Sequence, residues 1–412
     1  MNDDEAVVTA DAPDGDEENL DGEILAFVRR QVALAELPAA AIVTATQEYL
    51  DGDADADRIA ELTWPVVAEE LTAHLTAQES WPAPTDNDRL TAAFRALSAA
   101  GVVARENFTC CQNCGLGEIG AEVPAGVAPR GYAFYHQQDA EHAVDGSPVF
   151  LAYGLFEQPP SAEIGEEVAA ALRAEGLNLN VRWNGDTGSR IQVPMVWRRR
   201  RVGRLAAVPP TMDDDVEVEV ELITAWSGVH APRGGAQSAA RLAALHLPWM
   251  PAAARLRLSA GSLAVTVCRE GDTLIGEYDD RRPATVGRYD AMALLGRPWT
   301  TTPGPADFLE ANYEHSTGHG NAVALEAAEA VAITHRLQPH TRDFLSCLGR
   351  SGGVVQMCWK ADRLWLETPH PESATVTGRH VTLAEAERMI TILATEDRVA
   401  VAELGETVTR PW

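Results

Sequence analysis

Three of the chain's six cysteines fall within five positions, in the run Asn107-Phe108-Thr109-Cys110-Cys111-Gln112-Asn113-Cys114-Gly115. Cys111 and Cys114 have the C-x-x-C spacing that brings two thiolates to one zinc ion, and Cys110 offers a third sulfur. Gly115 fits the tight glycine turn that follows the second cysteine of a zinc knuckle. About twenty residues on, Gly131-Tyr132-Ala133-Phe134-Tyr135-His136-Gln137-Gln138-Asp139 supplies an imidazole and a carboxylate at i and i+3. His136 is the next histidine after the cluster and the fourth ligand this reading offers, but no second C-x-x-C accompanies the first.

The same residue types admit other chemistry. C-x-x-C also describes a redox pair, which works from a helix N-terminus that lowers the thiolate pKa; Gly115, Leu116 and Gly117 form helix poorly and argue against that setting. A nucleophilic thiol, with Cys111 as candidate, would take His136 as base and Asp139 as its orienting group. Against this, His136 and Asp139 can simply share the first turn of a helix, the carboxylate lying near the positive end of the dipole. Structural thiols in a tight turn are the remaining reading. The sequence leaves open whether the protein is an enzyme.

The chain has 412 residues, 46% hydrophobic and 23% charged, which predicts several globular domains. No run is long enough to span a membrane and no signal-peptide pattern opens the chain, so a cytoplasmic protein is expected. A formal charge of −28 disfavours nucleic acid and anionic membranes and suits a basic protein partner. The cysteines, sparse for this length, are read as thiols or metal ligands rather than a disulfide framework; Cys268 and Cys358 lie in apolar strands and are expected to be buried.

These candidates must be positioned by an α+β architecture. Residues 1–22 are acidic with little to bury and read as a disordered tail. Residues 23–197 form a helical segment leading into an α+β domain. Helices are expected from Glu23, from Pro38 to Leu50, from Arg58 to about Ser80 and from Asp86 or Thr85 to Gly101. The run from Asp51 to Asp57 imitates a calcium loop, but Ala56 and Leu62 replace its glycine and its bidentate glutamate, so it reads as a loop and helix cap. After Gly101 the period changes to strands, with the cysteines in a turn beyond Val102–Ala104. A hairpin is expected through Asn184-Gly185-Asp186. The arginine run from Arg198 to Arg201 opens a solvated linker, 198–214.

The C-terminal half carries an internal repeat of ninety residues. VTVCREGDTLIGEYDDRRPATV from Val265 lies over VQMCWKADRLWLETPHPESATV from Val355 without a gap. Two tandem α+β modules, 215–303 and 304–412, are therefore expected, each with a helix, strand–turn–strand and final helix. Before them, Val216, Val218, Val220 and Leu222 alternate with glutamates, the pattern of a half-buried strand. The duplicated carboxylates Asp272, Glu277, Asp362 and Glu367 read as hairpin-turn and strand residues rather than a paired acid and base.

The stretches DRLTAAFRALSAAGVVARENFTCCQNCG, GYAFYHQQDAEHAV, VFLAYG and VRWNGDTGSRIQVPMVWRRR resemble a bacterial family of unknown function, common in actinobacteria, over residues 23–201. The resemblance implies that the cysteine cluster and the Tyr135–Asp139 segment belong to one recurring unit, and it supplies no activity. The acidic α+β modules are similar in general character to immunity proteins that neutralise toxins. The reading is thus a binding protein, with zinc stabilising its N-terminal domain. A thiol-dependent hydrolase or redox enzyme, and an immunity-like partner of a basic toxin, are the alternatives.

Overall fold

A computed structural model describes residues 15–123, 128–156, 158, 162–177, 183, 185, 190–210, 216–227, 231–271, 273–279, 283–287, 307–314 and 322–411. The fold is α+β, with three sheets. Three helices come first: α1 (Gly15–Leu34), α2 (Ala39–Tyr49) and α3 (Ala56–Gln78). α1 begins inside the segment expected as tail; the rest of that segment lies outside the described residues. Pro38 caps α2, and the Asp55 carboxylate accepts from the amides of Asp57 and Arg58 to start α3. Ile24, Val28, Val32, Ile42, Ile59, Val67 and Leu71 form the core these helices share.

Thr85 opens α4 (Asp86–Ala99) with a capping box to Asp88, and Leu90, Phe94 and Leu97 face inward. The first sheet then runs in the order β1 (Val102–Arg105), β2 (Gly131–Phe134), β3 (Val149–Gly154) and β4 (Ile191–Val193), parallel only between β1 and β2. Between its strands lie α5 (Gln112–Glu118), α6 (Gln137–Val144) and α7 (Ala162–Leu172). Most of the expected hairpin falls outside the described residues; Leu177, its expected first residue, ends a π-helical turn after α7.

The arginine run is not a solvated linker. Arg201 is 1% exposed; its guanidinium donates to the carbonyls of Val32 (2.7 Å), Leu205 (2.5 Å) and Leu37. Arg200 bonds the carbonyls of Gln78, Trp81 and Pro82. Carbonyls at the ends of α1 and α3 lack helical partners, and the arginines satisfy them. Further on, Arg204 donates from its N and Nε to Glu329 at 3.2 and 2.9 Å, so this segment fastens the N-terminal region to the second module.

The repeat is structural. The first module holds β5 (Glu217–Leu222), β6 (Gly235–Ser238), α8 (Ala239–Leu245), β7 (Arg255–Ala260), β8 (Leu263–Glu270), β9 (Thr273–Tyr278) and β10 (Pro283–Gly287). The second holds β11 (Phe308–Glu314), β12 (Val323–Glu326), α9 (Ala327–Arg336), β13 (Phe344–Leu348), β14 (Val354–Lys360), β15 (Arg363–His370), β16 (Thr375–Val381), α10 (Leu383–Glu396) and β17 (Val408–Pro411). Their strand orders, β6-β5-β7-β8-β9-β10 and β12-β11-β13-β14-β15-β16-β17, correspond strand for strand, with β17 added. Each copy therefore begins with a strand pair ahead of its helix, whereas the sequence predicts a single strand before the first copy and none before the second. Asp272 and any final helix of the first module lie outside the described residues. Both modules dock on the N-terminal helices: Leu245 enters the core of α1–α3, and Ser98 on α4 bonds Gln338 at 2.8 Å.

Candidate metal centre

The cysteines lie where a helix begins, not in an open turn. Cys111 has extended backbone angles and is the N-cap of α5, which carries Cys114 in its first turn. The glycines that weaken helix propensity are tolerated because tertiary contacts fix the segment. A Cβ on Gly115 would lie 2.7 Å from Cζ of Phe134, a fully buried ring, and closer still to its Cε2. Gly115 is thus required for close packing rather than for a turn.

The incoming loop is clamped on two sides. The Phe108 amide donates to the Tyr135 carbonyl at 2.8 Å, and the Gln137 amide to the Thr109 carbonyl at 3.0 Å. Asn107 donates from Nδ2 to Glu36 at 2.7 Å. Asn107 (φ 47°) and Thr109 (φ 60°) adopt left-handed backbone, unfavourable for a β-branched threonine, and the clamps hold it there. Glu36 also meets Arg199 (3.4 Å), which reaches Glu106 (3.5 Å) and the Tyr135 hydroxyl (3.4 Å). A polar network therefore backs the loop.

The three sulfurs lie within 4.8 Å of one another, with Cys110 Sγ and Cys114 Sγ 3.5 Å apart. A tetrahedral ion with metal–sulfur bonds of about 2.3 Å separates its ligands by about 3.8 Å, so this set could hold a metal ion. Cys110 is exposed and the other two are half-buried, which leaves the cluster open to an incoming ion. The Cys114 amide and thiol hydrogen-bond to Cys111 and hold its thiol below the ordinary range. Hydrogen bonds in which the Cys114 thiol keeps its proton and donates to Cys110 and Cys111 push it up to about 12. Of Cys111 and Cys114, Cys114 is thus the thiol that holds its proton more tightly, and a metal ion would have to displace that proton.

His136 is not a member of this group. It caps α6: its Nδ1 accepts from the Asp139 amide at 3.3 Å, and its Nε2 lies 3.1 Å from Asp139 Oδ2. Burial holds its pKa below the usual imidazole value, against the pull of Asp139. Arg190, which sequence spacing did not single out, pairs with Asp139 and also bonds the Phe150 carbonyl. The candidates therefore form two arrangements, a three-sulfur cluster and a buried His136–Asp139–Arg190 cap. Elsewhere, Cys347 is the buried thiol, pushed up to about 12 by burial, whereas Cys268 and Cys358 are half-buried on the other faces of their strands. Among the described residues no helix is long and apolar enough to cross a membrane.

Residues 17–201 match the family model of a domain of unknown function (DUF6891). No curated protein and no solved structure matches the chain.

Proposed function

Starting from residues 17–201, which belong to a family defined only as a domain of unknown function, we propose a metal-dependent binding protein. Cys110, Cys111 and Cys114 hold one thiophilic ion, zinc in the first instance, and the ion fixes the loop between β1 and α5. The observation that carries this reading is the mutual approach of three sulfurs within 4.8 Å at the surface. With three protein thiolates, a fourth position is left for water or for a group from a partner. The strongly acidic chain suits a basic protein in that role.

Cobalt substitution tests the ligand set, because thiolate-to-cobalt charge-transfer absorption scales with the number of sulfurs bound. The wild type should show three thiolates and each single Cys→Ser variant two. Equal spectra for wild type and Cys110→Ser would remove Cys110 from the site.

A second reading has one observation of its own. Cys111 caps a helix and its thiol is held below the ordinary range, as in a dithiol redox pair. In that case iodoacetamide should label Cys111 at neutral pH much faster than a free thiol, in protein freed of metal.

A further inference from the structure

Cys110 is the exposed member of the cluster, and its sulfur lies 3.5 Å from that of Cys114. A disulfide brings two sulfurs to about 2.05 Å, so the pair needs to close by roughly 1.5 Å. The remaining cysteines offer no comparable pair: Cys347 is buried, and Cys268 and Cys358 stand on strands of different sheets. The frame around the cluster is held independently of its sulfurs. Phe108 and Thr109 are tied to the Tyr135–Gln137 backbone, and Gly115 is seated on Phe134. The three sulfurs can therefore exchange partners without dismantling the domain.

We propose that the cluster is a peroxide-responsive metal switch, in which the sulfurs of Cys110 and Cys114 exchange a shared metal ion for a bond to each other. This rests on the metal-binding reading above. The oxidant is a hydroperoxide. The Cys110 thiolate attacks the distal oxygen, the O–O bond breaks, and Cys110 becomes a sulfenic acid as alkoxide or hydroxide leaves and takes a proton from water. The Cys114 thiolate then attacks the sulfenyl sulfur; the S–S bond forms and hydroxide departs, again taking a proton from water. Two electrons have left the sulfurs and reduced the peroxide. Cys111 remains as a single thiolate, too few ligands to retain the ion. Thiol reductants reverse the exchange and restore the site.

The test uses the full chain loaded with zinc, freed of excess metal and analysed for bound zinc. Hydrogen peroxide is then added in the presence of a colorimetric zinc chelator. The expected result is release of the bound zinc, loss of two of the six thiols, and a proteolytic fragment spanning Cys110 and Cys114 lighter by two hydrogens. Dithiothreitol should restore both thiols and zinc binding. In Cys114→Ser no disulfide should form between these positions, and dimedone should trap the sulfenic acid on Cys110. Zinc retained through peroxide treatment, or release with all three cysteines converted to sulfinic or sulfonic acid, overturns the switch and leaves metal binding standing. Failure to bind zinc before any peroxide is added overturns both.

Discussion

Two glycines two positions apart in α5 should respond oppositely to the same substitution. In an exposed helix interior, alanine is favoured over glycine by about 0.8–1.0 kcal/mol. Nothing lies within 4 Å of a Cβ on Gly117, so Gly117→Ala should realise that gain. At Gly115 the new methyl would lie 2.7 Å from Phe134 Cζ, where ordinary contacts begin at 3.4 Å. Phe134 is fully buried and cannot retreat. Overpacking of this kind costs about 1–3 kcal/mol, so the two variants should separate by about 2 kcal/mol after the propensity gain they share. That is a factor of about 30 in the local opening equilibrium. Amide hydrogen exchange across residues 108–120 reads it directly, faster in Gly115→Ala and slower in Gly117→Ala than in wild type. Relieving the clash moves α5 by at least roughly 0.7 Å, beyond the about 0.2 Å tolerance of a metal site, so zinc affinity should fall in Gly115→Ala alone. Equal exchange and equal affinity in both variants would refute the packing role assigned to Gly115.

Arg201→Met should destabilise the helical region by about 3 kcal/mol or more, since several buried carbonyls lose their donor at about 1–3 kcal/mol each; urea unfolding followed by α-helical circular dichroism checks this. Arg363→Met, at an exposed hairpin end, should stay within about 0.5 kcal/mol of wild type in the same assay. Glu326 gives a pH dependence: burial first, then Glu329 and Asp307, raises its carboxyl to about 7 against the pull of Arg204. The folded chain therefore binds this proton more tightly than the unfolded chain, and stability from this group falls as pH rises from about 4.5 to 7. Unfolding of wild type and Glu326→Gln between pH 5 and 8 should show wild type losing stability relative to the variant. Parallel curves would contradict the assignment.

The helices were legible where periodicity and caps coincide, as at Thr85 with Asp88 and Leu90, Phe94 and Leu97 behind them. The repeat was legible because two hairpins with the same facing pattern must conserve residues at the same registers, Val265 and Val355 among them. The helix at Cys111 was not, because its sequence, QNCGLGE, is a poor helix by propensity and is held by Phe134, a contact made across the fold. The arginine run was misread for a related reason. Arg201 is buried only because carbonyls some 165 residues upstream converge on it, and no local composition encodes that. At the candidate site the sequence grouped the three cysteines, and the separate cap made by His136 and Asp139 was one of its readings. Arg190 and Glu36 had no local signal at all.

Whether three sulfurs share one ion is decided by elemental analysis of protein purified without added metal or chelator, with Cys111→Ser alongside. About one zinc per wild-type chain is expected, lost in the variant. A wild-type protein free of metal, with all six thiols titrating as free groups, would contradict it.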